Sequence, residues 1–117
     1  MEAKPFLIIY YETEDGDRPL IDWLSEAKDT LALRSVRSRL KRVAAGDLGD
    51  NKYIGDGVSE LRFMGLGIRV YFARIDDTIL LLWGGGKNTP KEQRRDIARA
   101  KKYWADFKNR NMETNYF

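Results

Sequence analysis

Residues Gly57–Lys87, GVSELRFMGLGIRVYFARIDDTILLLWGGGK, read as three consecutive antiparallel strands joined by tight turns. Side chains along a strand repeat with period two. In the first strand Ser59, Leu61 and Phe63 therefore point one way, and Val58, Glu60 and Arg62 the other. In the second, Ile68, Val70 and Phe72 oppose Arg69, Tyr71 and Ala73. The third, Thr78 to Trp83, is apolar on both faces and reads as a buried central strand. Met64-Gly65-Leu66-Gly67 and Asp76-Asp77 suit the two hairpin turns, because glycine and aspartate tolerate left-handed backbone. The expected product is a small curved sheet. It groups Glu60, Arg62, Arg69 and Tyr71 on one exposed surface and turns its other face to the remaining chain.

Working outward, Phe6 to Glu12 is a further strand, rich in Ile, Tyr and Phe. Pro19 suits the first turn of a helix, where its missing N–H has no partner to lose. Leu20, Trp23, Leu24 and Ala27 then recur on one helical face. Asp29 or Thr30 caps a second helix running to about Ala45, with Leu33, Val36, Leu40, Val43 and Ala44 as its apolar stripe and Gly46 as its stop. Arg34, Arg37 and Lys41 lie on one exposed side of it, Arg39 and Arg42 on another. Tyr53 and Ile54 start a short strand that Gly55-Asp56-Gly57 interrupts. Thr89-Pro90-Lys91-Glu92 is a capping box that opens a third helix, with Ile97, Ala100, Trp104 and Phe107 on its apolar side. Residues 109–117 have little periodicity and are expected to fray. The chain, 1–117, is thus one α+β domain. Its sheet is mainly antiparallel, two N-terminal helices pack on one face, and a C-terminal helix follows.

Composition narrows the chemistry. There is no cysteine and no histidine among the 117 residues, which removes thiolate chemistry, the commonest general base and the commonest metal ligand. No cofactor or metal is expected. The apolar runs are too short to span a bilayer and the N-terminus lacks a leader pattern, so a cytoplasmic location follows by default. Charge is segregated. Residues 1–29 carry eight acids against three bases, and residues 87–117 carry nine bases against four acids. That asymmetry points to a polyanionic partner, an acidic protein partner, or both. Gly84-Gly85-Gly86-Lys87 lacks the spacing and the following hydroxyl of a nucleotide-binding P-loop.

The run from Gly46 to Ala100 resembles the RelE/ParE toxin superfamily, and within it the HigB-like and phage-derived addiction-module killer proteins. The residues that carry the likeness are Gly46, Gly49-Asp50 and Lys52, then Gly57-Val58 and Glu60-Leu61-Arg62. They continue through Gly65, Gly67, Arg69-Val70-Tyr71-Phe72, Leu82, Gly84-Gly85, Lys87, Asp96-Ile97 and Ala100. The chain departs from the pattern at Gly86, where the family often has an acid, and in having no histidine. The resemblance implies a strand, two helices, a sheet and a last helix. It also implies a cognate antitoxin partner, often a small helix-turn-helix protein. RelE-like members cut mRNA, commonly on the ribosome, whereas ParE-like members inhibit DNA gyrase.

On this reading RNA is cut when its own 2′-hydroxyl attacks the adjacent phosphorus. The protein must take up a proton, stabilise the phosphorane and protonate the leaving 5′-oxygen. Arg62 and Arg69 suit the electrostatic role, because guanidinium matches phosphate oxygens with paired donors. Glu60 is the expected base, and Tyr71 or Lys87 the acid or orienting group. Lys52, Arg37, Lys41, Lys91 and Arg95 are expected to hold the RNA backbone, and Tyr71 or Tyr53 to stack on a base. A simpler account of Glu60, Arg62 and Arg69 is a cross-strand ion pair. A non-enzymatic inhibitor of gyrase, and an inactive member that only binds its antitoxin, remain open at this stage.

Overall fold

In the computed structural model, which describes residues 4–86 and 89–111, four strands follow one another in reverse chain order across the sheet, flanked by the first strand at one edge. The full element order is β1 (Leu7–Tyr10), α1 (Pro19–Glu26), α2 (Thr30–Ala44), β2 (Asn51–Gly55), β3 (Val58–Phe63), β4 (Ile68–Ile75), β5 (Thr78–Gly85) and α3 (Pro90–Arg110). The strands form one five-stranded sheet, ordered β1-β5-β4-β3-β2. β1 runs parallel to β5, and every other neighbour is antiparallel. The two anticipated hairpin turns are present, with Gly65, Gly67 and Asp76 at positive φ.

Local chemistry sets the helix limits. Asp29 accepts hydrogen bonds from the backbone N–H groups of Leu31 and Ala32 and so caps α2. Gly46, at φ 100°, follows its C-terminus. Thr89 and Glu92 form the reciprocal capping box at the start of α3. Asn109 and Arg110 belong to α3 rather than to a frayed tail. Arg110 is held there by Asp106 at 2.9 Å and by the carbonyl of Glu12. Residues 112–117 lie outside the described residues.

The sheet is covered on both faces. Leu61, Phe63, Ile68, Val70, Phe72, Ile79 and Leu81 pack with Leu20 of α1 and Val36 and Val43 of α2. Val58, Tyr71, Ala73, Leu80 and Leu82 pack with Ala100 and Trp104 of α3. This explains why Ile79–Trp83 of β5 is apolar on both faces, since both layers rest on it. It also corrects one expectation. Of the face bearing Glu60, Arg62, Arg69 and Tyr71, α3 buries Glu60 and Tyr71, while Arg62 and Arg69 keep part of their side chains in solvent.

β5 carries a feature that simple alternation does not reveal. Tyr71 stands opposite Trp83, but Phe72 stands opposite Leu81, so Leu82 is an extra residue. This bulge sends Leu82 and Trp83 to the same α3-facing layer. Beyond it Gly84 and Gly85 allow close approach from both sides. A Cβ on Gly84 would stand 2.8 Å from the Trp23 ring of α1, and one on Gly85 would stand 2.5 Å from Asp96 Oδ2 of α3.

The free end of α3 is tied to the sheet by Tyr11, which is 3% exposed. Its hydroxyl donates to Asp106 Oδ2 at 2.5 Å, and Tyr103 stacks on its ring at 4.8 Å. Burial, then the bond to Asp106, raises the Tyr11 phenol to about 12. A phenol whose pKa is higher folded than unfolded contributes stability that is complete below about pH 10 and is lost as pH rises toward its folded value. Tyr11→Phe is therefore expected to cost about 1–2 kcal/mol at neutral pH. It should also flatten the alkaline decline that begins near pH 10, as measured by urea unfolding across that range. An unchanged alkaline slope in the variant would contradict the assignment.

Candidate functional site

The register of β3 and β4 builds the site. Glu60 stands opposite Tyr71, and Arg62 opposite Arg69. On the outer side Lys52 of β2 stands opposite Glu60; on the inner side Trp83 stands opposite Tyr71 and Gly85 opposite Arg69. Two rows therefore cross the same sheet face. One runs Lys52, Glu60, Tyr71, Trp83. The other runs Arg62, Arg69, Gly85, with Asp50 bonded to its outer end and Asp96 lying over its inner end.

Each arginine has a carboxylate, in two different environments. Arg62 bonds Asp50 Oδ1 through Nη2 at 2.8 Å and Nε at 3.2 Å. Their side chains are 39% and 32% exposed. Arg69 Nε lies 3.2 Å from Glu60 Oε2, with side chains 29% and 4% exposed. Those two atoms make no aligned hydrogen bond, with each other or with any other group. The inner pair is an ion pair in a poorly solvated place, where attraction is strong and desolvation is costly.

Two expected proton-transfer groups are buried. Glu60 is 3% exposed and Tyr71 is 1% exposed. Tyr71 stacks on Trp83 at a centroid distance of 6.3 Å. Burial pushes its phenol well above the usual range, and the Asp96 and Glu60 charges push the same way, against Arg69. The expectation that Tyr71 serves as an acid or a stacking platform is corrected on this ground: it is core beneath α3. Tyr53 is exposed and keeps its ring available, while its hydroxyl accepts from the Gly57 N–H at 3.0 Å.

The basic residues separate. Lys52 joins the site. Lys91 and Arg95 are exposed on the first turns of α3. Arg37 and Lys41 are exposed on α2, which covers the opposite sheet face, so no single surface unites all five. Lys87 lies outside the described residues.

Three relevant residues went without a role in the sequence reading. Asp50 pairs with Arg62, and Asp96 lies over Gly85 with its charge acting on Tyr71. Arg39 was placed on an exposed helix side. It instead reaches the carbonyls of Leu48, Asp50 and Arg62 at 3.3, 3.1 and 2.8 Å, with its guanidinium over the Phe63 ring. Gly49 leaves room for it, since a Cβ there would stand 3.1 Å from the guanidinium carbon. The glycine was a visible signal, but its counterpart on α2 was not.

No protein-family model matches the chain. A protein of Haemophilus influenzae described as uncharacterised is 41% identical over 81 residues, covering 68% of this chain and 79% of that protein. Identity at this level over most of both chains establishes common descent, and the chain belongs to the family of that Haemophilus influenzae protein.

Proposed function

We propose that this protein is the toxin of a type II toxin–antitoxin pair of the RelE/ParE superfamily, an endoribonuclease that cuts mRNA at the ribosome. One observation carries the reading: Arg62 and Arg69 stand directly opposite each other on neighbouring strands, and both reach solvent. Like charges placed this way destabilise a sheet unless anions lie between or beside them. Guanidiniums carried by two directly opposite residues suit a phosphodiester and the charge that grows on it during attack by the 2′-hydroxyl.

The burial of Glu60 changes its proposed part. It holds Arg69 in place as a positioning residue instead of taking a proton from RNA. Lys52 beside it, and Lys91 and Arg95 on α3, offer charge for the RNA backbone. The element order of one strand, two helices, a sheet and a final helix accords with the resemblance along Gly46–Ala100. A small antitoxin is the proposed partner and the cytoplasm the proposed location. Among the described residues no helix is long and apolar enough to cross a membrane.

A second reading has its own support. The burial of Glu60 and Tyr71 removes two proton-transfer groups from reach, as suits a ParE-like inhibitor of DNA gyrase that does no chemistry. Induction of the protein in growing cells, with new 5′ ends mapped across the transcriptome, separates the two. Growth arrest with clustered new ends inside translated reading frames is the expected result. Growth arrest with intact mRNA and inhibited supercoiling would replace the first reading with the second.

A further inference from the structure

The loop joining α2 to β2 is short, and five contacts pin it. Asp47 bonds Arg42 at 3.0 Å and accepts the Gly49 N–H at 2.9 Å. Arg39 gathers the carbonyls of Leu48 and Asp50. The Arg62 N–H donates to the Asp50 carbonyl at 2.9 Å. Together these deliver the Asp50 carboxylate to the Nε–Nη2 edge of Arg62, the edge that a guanidinium presents to a phosphate.

We propose that Asp50 is a built-in competitor for phosphate on Arg62, and that it sets the affinity of this site for a nucleic-acid backbone. The proposal rests on the reading of Arg62 as an anion ligand. One edge of a guanidinium serves one anion at a time, so a phosphodiester that takes the Nε–Nη2 edge displaces the Asp50 carboxylate. Displacement is feasible there because both side chains are about a third exposed and the released carboxylate returns to water. The companion pair behaves differently. Glu60 is 4% exposed at its side chain and has no water to return to, so it stays on Arg69. One guanidinium is exchangeable and the other is fixed. Asp50 thus restricts binding to ligands that carry enough phosphate contacts to outcompete it.

The test is fluorescence-anisotropy binding of a short 2′-O-methyl RNA, which lacks the free 2′-hydroxyl that cleavage requires. Asp50→Asn should bind it about 5- to 10-fold more tightly than the wild type. Asp76→Asn removes one negative charge from the exposed β4–β5 turn, at the far end of β4 from Arg69 and the Arg62 opposite it, and should change affinity less than about twofold. Asp50→Asn/Arg62→Ala should bind no more tightly than Arg62→Ala. Asp50→Ser, with its melting temperature checked, should repeat the gain by a different side chain. The proposal is overturned if neither Asp50 variant gains affinity, or if the gain survives without Arg62. It is equally overturned if Asp76→Asn matches the gain, or if wild type and variants all fail to bind. The assay reads binding alone, so a protein that passes it and cuts no RNA would refute the endonuclease reading and leave this one standing.

Discussion

Arg62→Ala is expected to lower the single-turnover rate of RNA cleavage about 100-fold while leaving the fold nearly as stable as the wild type. The large effect follows from where the guanidinium acts. Charge grows on the phosphoryl oxygens in the transition state, and losing one well-placed donor to such charge costs about 3 kcal/mol. The small effect on the fold follows from exposure. The Arg62–Asp50 pair is 39% and 32% exposed, so its loss should cost under about 1 kcal/mol. The bond from Arg39 reaches the Arg62 backbone carbonyl, which alanine retains. Growth after induction, melting temperature and cleavage rate measure the three parts. A wild-type cleavage rate in this variant would remove Arg62 from the mechanism.

Arg69→Ala should behave quite differently, despite standing directly opposite Arg62. Its loss strands the Glu60 carboxylate, whose side chain is 4% exposed, without a counter-charge. Removing one partner of a fully buried pair costs about 3–5 kcal/mol. Arg69 keeps 29% of its side chain in solvent, so the pair is only partly desolvated and about 2–3 kcal/mol is expected. For a domain of this size that is a fall of roughly 10 °C in melting temperature. Glu60→Gln/Arg69→Ala removes the stranded charge and should recover most of the loss. If the double variant melts as low as the single one, Glu60 is not charged beneath Arg69 as described. Loss of toxicity in Arg69→Ala alone would mix instability with chemistry, so the double variant is the background in which activity should be read.

Much of the sheet was legible because it obeys period two. The alternation of Leu61 and Phe63 against Glu60 and Arg62 predicts both the faces and the pairing with Ile68, Val70, Arg69 and Tyr71. Asp29, Gly46 and the Thr89–Glu92 box marked helix ends because capping is local chemistry. The bulge at Leu82 was hidden. In a run of Ile79, Leu80, Leu81 and Leu82 every register looks equally apolar, so nothing in the order of residues marks the extra one. The layer formed by α3 was also missed as a cover for the charged face. Its apolar stripe at Ile97, Ala100 and Trp104 was readable, but not the face it would seek. That gap made Tyr71 look like a surface group when it is core. Asp50 and Arg39 escaped for a related reason, because their roles depend on contacts 12 and 23 residues away in sequence.

In the proposed reaction Arg62 and Arg69 promote attack by RNA's own 2′-hydroxyl. The most direct measurement is the end chemistry of RNA cut by the purified protein on programmed ribosomes. The expected products carry a 2′,3′-cyclic phosphate on one end and a 5′-hydroxyl on the other, both formed about 100-fold more slowly by Arg62→Ala. Products bearing 5′-phosphate, or uncut RNA from wild-type protein that nonetheless blocks gyrase, would contradict this reaction.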